Sequence, residues 1–371
     1  MRRATATSGA YVLDLTSGAQ LFAMRSAKPR ILASNTKLFT TAAALNQYGP
    51  DGTFATALWS SGALGADGTL TGDLVIRGGG DPMFGSEAFV KRYYGTGASV
   101  EGLARALFAR GVRHVTGNVL GDDTLFDLKR GTAPYGFRQS GEIGGALDAL
   151  AFERGPWSAS EVAASYTASK LRNALKAAGI AVDGKPLVGG MPAGAVQLAS
   201  ATSPSVARII AYTNKPSDNY LAEMLMKRLA VGTTPATTAA GAASAASFAA
   251  SLGSRVQLAD GSGLSRSDMA APREVVDLLA GMYQRADFAT YFGSLSVPGR
   301  DGTLARRMGA SSDTRRCGAK TGTLRDVSSL SGYCTNRAGH VIAFSLIMNN
   351  TYAASARTIQ DQIATRIATS K

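Results

Sequence analysis

Three short stretches of the chain hold residue types that could form and break an acyl bond. The first is Ser34-Asn35-Thr36-Lys37, inside the run ILASNTKLFTTAAAL. Residues at i and i+3 share one helix face, so this hydroxyl and this amine can meet. A serine in the first helical turn also lies among unsatisfied N–H groups at the positive end of the dipole, where negative charge on oxygen is favoured. Lysine serves as a base only when burial or a nearby cation lowers its pKa. The pair therefore calls for a second cation elsewhere in the chain. The plain alternative is a serine that only caps a helix. The chain contains no other Ser-x-x-Lys.

The second stretch, Ser217-Asp218-Asn219, follows Pro216 at a predicted helix start, where either Ser or Asp could be a cap. The third, Lys320-Thr321-Gly322-Thr323, lies on a predicted strand and by itself reads as a polar edge. Taken singly, each has an ordinary structural explanation. Taken together, the chain has one Ser-x-x-Lys, one Ser-x-Asn and one Lys-Thr-Gly, in that order.

The elements that must position them form an α+β pattern. SGAYVLDLTSGAQLFAMRSA predicts two strands about a Thr16-Ser17-Gly18 turn, and a helix is expected from near Ser34 to Tyr48, ended by Gly49-Pro50. RRCGAKTGTLR, SSLSGYCTN and HVIAFSLIMNN predict three consecutive antiparallel strands before a closing helix, so one sheet should join the two ends of the chain. Residues 51–202 have a different texture, Gly- and Thr-rich strands followed by the helices SVEGLARALFARG and ASYTASKLRNALKAAG. They read as an insertion in a domain formed by 1–50 and 203–371. The Ala- and Thr-rich tract after Gly232 fits a surface helix with small residues packed on one side.

Composition excludes several functions. With 371 residues, 45% hydrophobic and 18% charged, the chain is long enough for more than one folded domain. No apolar run of about 18 residues encodes a membrane span, and no secretory core follows Met1-Arg2-Arg3, so an exported protein would have a leader missing from this chain. The net charge of +13 suggests an anionic partner. Scattered basic residues without interleaved aromatics argue against nucleic acid, and an anionic cell envelope accounts for the charge. Only His114 and His340 are present, both read as structural, which disfavours a Ser-His-Asp triad and His-rich metal sites. Gly78-Gly79-Gly80 precedes Asp81-Pro82 and reads as a turn. Gly318-Ala319-Lys320-Thr321 lacks the earlier glycine of a phosphate loop, so nucleotide binding is rejected. No cofactor or metal is expected.

The order and context of the three motifs resemble the penicillin-recognising acyl-serine transferases, the penicillin-binding proteins and serine β-lactamases. IRGGGDP, GEIGGALDALAFERG, DGSGLSR, GRDGTLARRM and AKTGTLRDVSSLSGYC are similar to the low-molecular-mass class C penicillin-binding proteins, the D-alanyl-D-alanine carboxypeptidase/endopeptidase family. The resemblance implies a β-lactamase/transpeptidase-like domain and a hydrolase of peptidoglycan stem peptides that β-lactam antibiotics trap, in the periplasm or outside the cell. It implies Ser34 as nucleophile and Lys37 as general base, with Lys320 lowering the pKa of Lys37. Ser217 would relay the proton and Asn219 would orient the substrate amide. Lys320, Thr321 and Thr323 of the Lys-Thr-Gly-Thr segment would receive the terminal carboxylate, and the backbone N–H groups of Ser34 and Thr323 would form the oxyanion hole. A β-lactamase or esterase on the same fold is the nearest rival, and a catalytically silent envelope-binding module is a rival of another class.

Two departures stand out. Ser34 and Ser217 are closer in sequence than that family's two nested inserts require, so one insert is expected to be absent or reduced, near Phe152 to Ser158. Leu32 also stands where relatives usually carry proline. Finally, a hairpin symmetric about residues 325 and 326 would place Cys317 opposite Cys334, as a cross-strand disulfide or as two buried thiols.

Overall fold

A computed structural model describes residues 6–156, 162–232, 235–309 and 311–371. Two compact units emerge: one from Met1–Asp51, Val206–Leu229 and Thr238–Lys371, the other from Gly52–Ser205 and Ala230–Thr237. The sequence expectation put 230–237 with the flanking segments. Instead Ala236 bridges Phe126 in parallel, donating its N–H to Leu125 O at 2.9 Å and accepting from Asp127 N at 3.1 Å. Of the segment expected to mark a lost insert, Trp157 and Ser158 lie outside the described residues.

The first unit is built on strands β1 (Ser8–Asp14), β2 (Gln20–Met24), β3 (Cys317–Leu324), β4 (Val327–Thr335) and β5 (Val341–Asn349). Their order is β3-β4-β5-β1-β2 and every pair is antiparallel. Pairing of Ser8 with Met348 and Asp14 with Ile342 closes the sheet between the two ends of the chain. The longer helices are α1 (Thr36–Tyr48), α2 (Val206–Asn214), α3 (Asn219–Arg228), α4 (Thr238–Ser251), α5 (Pro272–Tyr283) and α6 (Ala353–Thr369). Strand β5 reads as a continuous apolar run because both sheet faces are covered. Ile342, Phe344 and Leu346 join Ala364 and Ala368 of α6 in one core, while α5 packs on the same strand and ties Tyr333 OH to Leu279 O at 2.7 Å. A two-residue turn at Arg325-Asp326 follows from the Leu324–Val327 pair. The same register sets Cys317 opposite Cys334, and the two are joined as a disulfide with Cα atoms 4.0 Å apart.

Helix α1 is buried from Thr36 to Leu45 and packs against α2, α3 and α4. Burial on all sides obliges its polar side chains to find partners. Thr40 donates to Gly261 O at 2.8 Å, Thr41 donates to Lys37 O at 2.7 Å, and Asn214 of α2 donates to Thr41 Oγ1 at 3.0 Å. On α4, Gly241, Ala242, Ala245 and Ala249 are the buried positions. A side chain at Gly241 would run into Met226 O, so the glycine lets α4 approach α3.

The second unit carries a five-stranded mixed sheet in the order Pro186–Val188, Val119–Asp122, Leu74–Arg77, Ala55–Ser60, Val196–Thr202. Its first three strands run parallel, and the last two pair antiparallel with their neighbours. The helix Val100–Ala109 is capped by Ser99, which accepts from Gly102 N at 3.0 Å, and buries Val100, Leu103, Ala104 and Leu107 on one face. Ala163–Ala177 supplies Leu171 and Leu175 to the same core. Among the described residues no helix is long and apolar enough to cross a membrane.

Candidate active site

Ser34 does not cap α1. It sits in a single 3-10 turn, Ala33–Asn35, that runs into α1, and the residue at the N-cap is Asn35, whose side chain makes no capping bond. Asn35 instead spans to the sheet, donating through Nδ2 to Lys320 O at 2.9 Å while its Oδ1 accepts from Ser331 at 2.6 Å. The turn is thereby fixed against β3 and β4. Ala33 is held at φ +48 and Ser217 at φ +63, left-handed values that cost a non-glycine residue about 1–3 kcal/mol each. Both strained residues adjoin or belong to the motifs.

Lys37 is wholly buried, and its Nζ has three partners: Ser34 Oγ at 3.0 Å, Asn219 Oδ1 at 2.7 Å and Ser262 O at 2.6 Å. The last two are pure acceptors. A neutral amine has two hydrogens to give, so both go to these acceptors and the lone pair is left facing the Ser34 hydroxyl. Burial lowers the Lys37 pKa to about 8, against the pull of Glu223, Asp260, Asp218 and Asp268. Lys320 is pushed well below the usual lysine value, by burial first and by the charge of Lys37 second.

Lys320 is also wholly buried, on β3, and donates to Ser217 Oγ at 2.8 Å and to Thr321 O at 2.9 Å. Asp218 caps α3 by accepting from Leu221 N at 2.9 Å, which sets Ser217 before the helix and Asn219 in its first turn. Thr321 Oγ1 is 2.8 Å from Thr303 Oγ1, and Thr323 Oγ1 accepts from Arg357 Nη2 at 3.3 Å. Gly322 has no room for a side chain: a Cβ would press on Ser329 Oγ and lie 2.8 Å from Leu32 O and 3.0 Å from Ser34 N. Its absence lets the backbone of β3 run beside the Ser34 amide. A cavity of ≈ 520 Å³ opens here, lined by Ser34, Ser217, Asn219, Thr303, Arg307, Thr321, Thr323 and Arg357.

The structure therefore gathers Ser34, Lys37, Ser217, Asn219, Lys320, Thr321, Gly322 and Thr323 in one place, with Lys320 beneath the cavity rather than on its wall. Several neighbours carried no role in the sequence reading. Ser262 contributes a carbonyl, which leaves no mark in a side-chain pattern. Glu223 accepts from Gly261 N and Ser262 N, at 3.1 and 2.8 Å, and so holds that carbonyl under Lys37. Burial and Asp260 push the Glu223 pKa up to about 8. Asp260 accepts from Gly263 N and Ser265 N, both at 2.7 Å, completing the loop. Two signals were available: the spacing of Asn219 and Glu223, i and i+4 on α3, and the segment DGSGLSR, which contains Asp260 and Ser262.

The profile of the D-Ala-D-Ala carboxypeptidase 3 (S13) family matches residues 2–136 and 132–370. The chain belongs to that family. This S13 chain is 30% identical to the D-alanyl-D-alanine carboxypeptidase of Actinomadura sp. strain R39, over 98% of the chain and 81% of that relative. Its fold is similar to that of penicillin binding protein 4 from Haemophilus influenzae, with a TM-score of 0.80 at 20% identity and 98% of each chain covered. A second structure of that protein, in complex with a β-lactam, matches with a TM-score of 0.75 at 21% identity.

Proposed function

We propose that this S13 family member is a serine-type D-alanyl-D-alanine carboxypeptidase that acts on peptidoglycan stem peptides through an acyl-Ser34 intermediate. The observation that carries the reading is Lys37 Nζ, 3.0 Å from Ser34 Oγ with both other partners acceptors. In the first step Lys37, as the neutral amine, takes the Ser34 proton while Oγ attacks the carbonyl carbon of the penultimate D-Ala. The tetrahedral oxyanion is received by the N–H groups of Ser34 and Thr323, which Gly322 allows to approach. Ser217 accepts from Lys320, so its own hydrogen is available for the leaving amine, and the proton held by Lys37 replaces it. The C–N bond breaks, D-Ala departs and the acyl-ester remains on Ser34. Water, deprotonated by Lys37, then cleaves the ester and returns the Ser34 hydroxyl.

A β-lactam is attacked by the same Oγ and stays attached as a ring-opened acyl-ester. The reading extends to the domains. The first unit is the catalytic domain and the second an inserted domain, with a second nested insert absent or reduced. Support comes from the Actinomadura alignment, which runs over 451 residues where this chain has 371, so part of that relative has no counterpart here. A peptidoglycan substrate supports a location in the cell envelope, periplasmic or extracellular. The Cys317–Cys334 disulfide fits an oxidising compartment, and the charge of +13 fits electrostatic association with an anionic wall.

The test is release of D-Ala from a stem pentapeptide. Wild type releases it and Ser34→Ala does not. Rapid turnover of penicillin without release of D-Ala would instead support the lactamase rival.

A further inference from the structure

A carboxylate entering the cavity requires a cation with free donors, and the sequence assigned that task to Lys320. The structure makes Lys320 a poor candidate. Its ammonium is wholly buried, it does not line the cavity, and it donates to Ser217 Oγ and Thr321 O. Two other cations do line the cavity, both guanidinium groups. Arg307 is engaged, with Nε and Nη2 at 3.0 and 2.7 Å from Asp361 Oδ1 and Nη2 also 3.3 Å from Gln360 Oε1. Arg357, exposed on α6, has no carboxylate within ion-pair distance among the described residues, and there its one hydrogen bond is to Thr323 Oγ1 at 3.3 Å.

We propose that Arg357 receives the carboxylate of the leaving residue and makes Ser34 select peptides whose leaving amino acid carries that charge. This rests on the carboxypeptidase reading above. Because Arg357 donates to the oxygen of Thr323, the Thr323 hydrogen is left to be given to a ligand. A planar guanidinium fork and an adjoining hydroxyl form a complement to the two oxygens of a carboxylate. Lys320 is thereby freed for the Ser217 hydroxyl, and the two cations divide work that the motif alone assigns to one. Arg307, neutralised by Asp361, holds the wall of the cavity and adds little net charge to it.

The test compares two blocked peptides that differ only at the end, one terminating in D-Ala-D-Ala and the other in its carboxamide. In wild type kcat/KM for the acid exceeds that for the amide. Arg357→Gln lowers the acid value about 10- to 100-fold, the size of a lost hydrogen bond to a charged group, and lowers the amide value far less. Arg357→Lys, with the charge but not the fork, recovers part of the loss. End-point labelling with a tagged penicillin normalises each preparation to its active fraction, so incomplete folding does not imitate the effect. An unchanged acid value in Arg357→Gln, or an equal loss on both peptides, overturns the assignment alone. A wild type that releases D-Ala or its amide from neither peptide overturns the carboxypeptidase reading and this assignment with it.

Discussion

Replacing Asn219 by aspartate puts a formal charge on an oxygen that stands 2.7 Å from Lys37 Nζ. The shape of the site is almost unchanged, since amide and carboxylate differ by little in size. The effect is therefore electrostatic: a carboxylate at that distance favours the ammonium form, and an opposite charge so close ordinarily raises a lysine pKa by about 1–3 units. Acylation requires the neutral amine, so in wild type its rate rises about tenfold per pH unit and levels off above the Lys37 pKa of about 8. In Asn219→Asp that acid limb moves upward by about 1–3 units, and acylation at neutral pH falls by about 10- to 1,000-fold. Most of the rate returns at alkaline pH. Stopped-flow acylation by a fluorescent penicillin, whose own carboxylate does not titrate in this range, gives the profile directly. Asn219→Ala is the control, because it removes the acceptor without adding charge and so leaves the limb unraised. A limb in Asn219→Asp at the wild-type position would refute Lys37 as the titrating base.

Two further perturbations examine the supports of the site. Glu223→Ala leaves the buried Gly261 N–H without an acceptor, at a cost of about 1–3 kcal/mol, and leaves Ser262 N–H only its longer bond to Asp260 Oδ1 at 3.2 Å, so the urea midpoint falls accordingly. The substitution also slows acylation by loosening the Ser262 carbonyl, whereas Glu223→Gln keeps an acceptor oxygen and is milder on both measures. Gly322→Ala forces a methyl toward Leu32 O and Ser34 N, spreading β3 from the nucleophile. Acylation drops by about 100-fold, the scale of one lost oxyanion donor, while thermal unfolding shows the protein still folded.

How far the sequence could be read follows from the range of each contact. Ser34 and Lys37 were legible because a single helical turn fixes their separation. A cap at Ser217 or Asp218 before α3 and a hairpin turn centred on residues 325 and 326 were legible for the same reason, being local; the structure chooses Asp218 as the cap. Ser217 and Lys320 come to Ser34 from 183 and 286 positions away, and only resemblance to a family connected them in advance. What escaped was of two kinds. The Ser262 carbonyl and the space reserved by Gly322 are backbone features with no side-chain signature. The exposure of Lys320 and Arg357 depends on which strand and helix faces line the cavity, which the tertiary packing decides. A motif lysine could thus be placed correctly, while the cavity-lining guanidinium to which we assign the carboxylate left no mark in the sequence. The serine at the start of α1 shows a smaller version of the same limit. A cap was the local expectation, and the 3-10 turn anchored by Asn35 to β3 and β4 displaced it.

The central claim is that the Ser34 oxygen, activated by Lys37, becomes acylated. Intact-mass and peptide-level analysis of the protein after exposure to a penicillin tests it most directly. The account predicts a single adduct on the peptide containing Ser34, absent from a folded Ser34→Ala variant and formed more slowly as the pH falls below about 8. No adduct on the wild type, or an adduct on another residue that persists in Ser34→Ala, would contradict it.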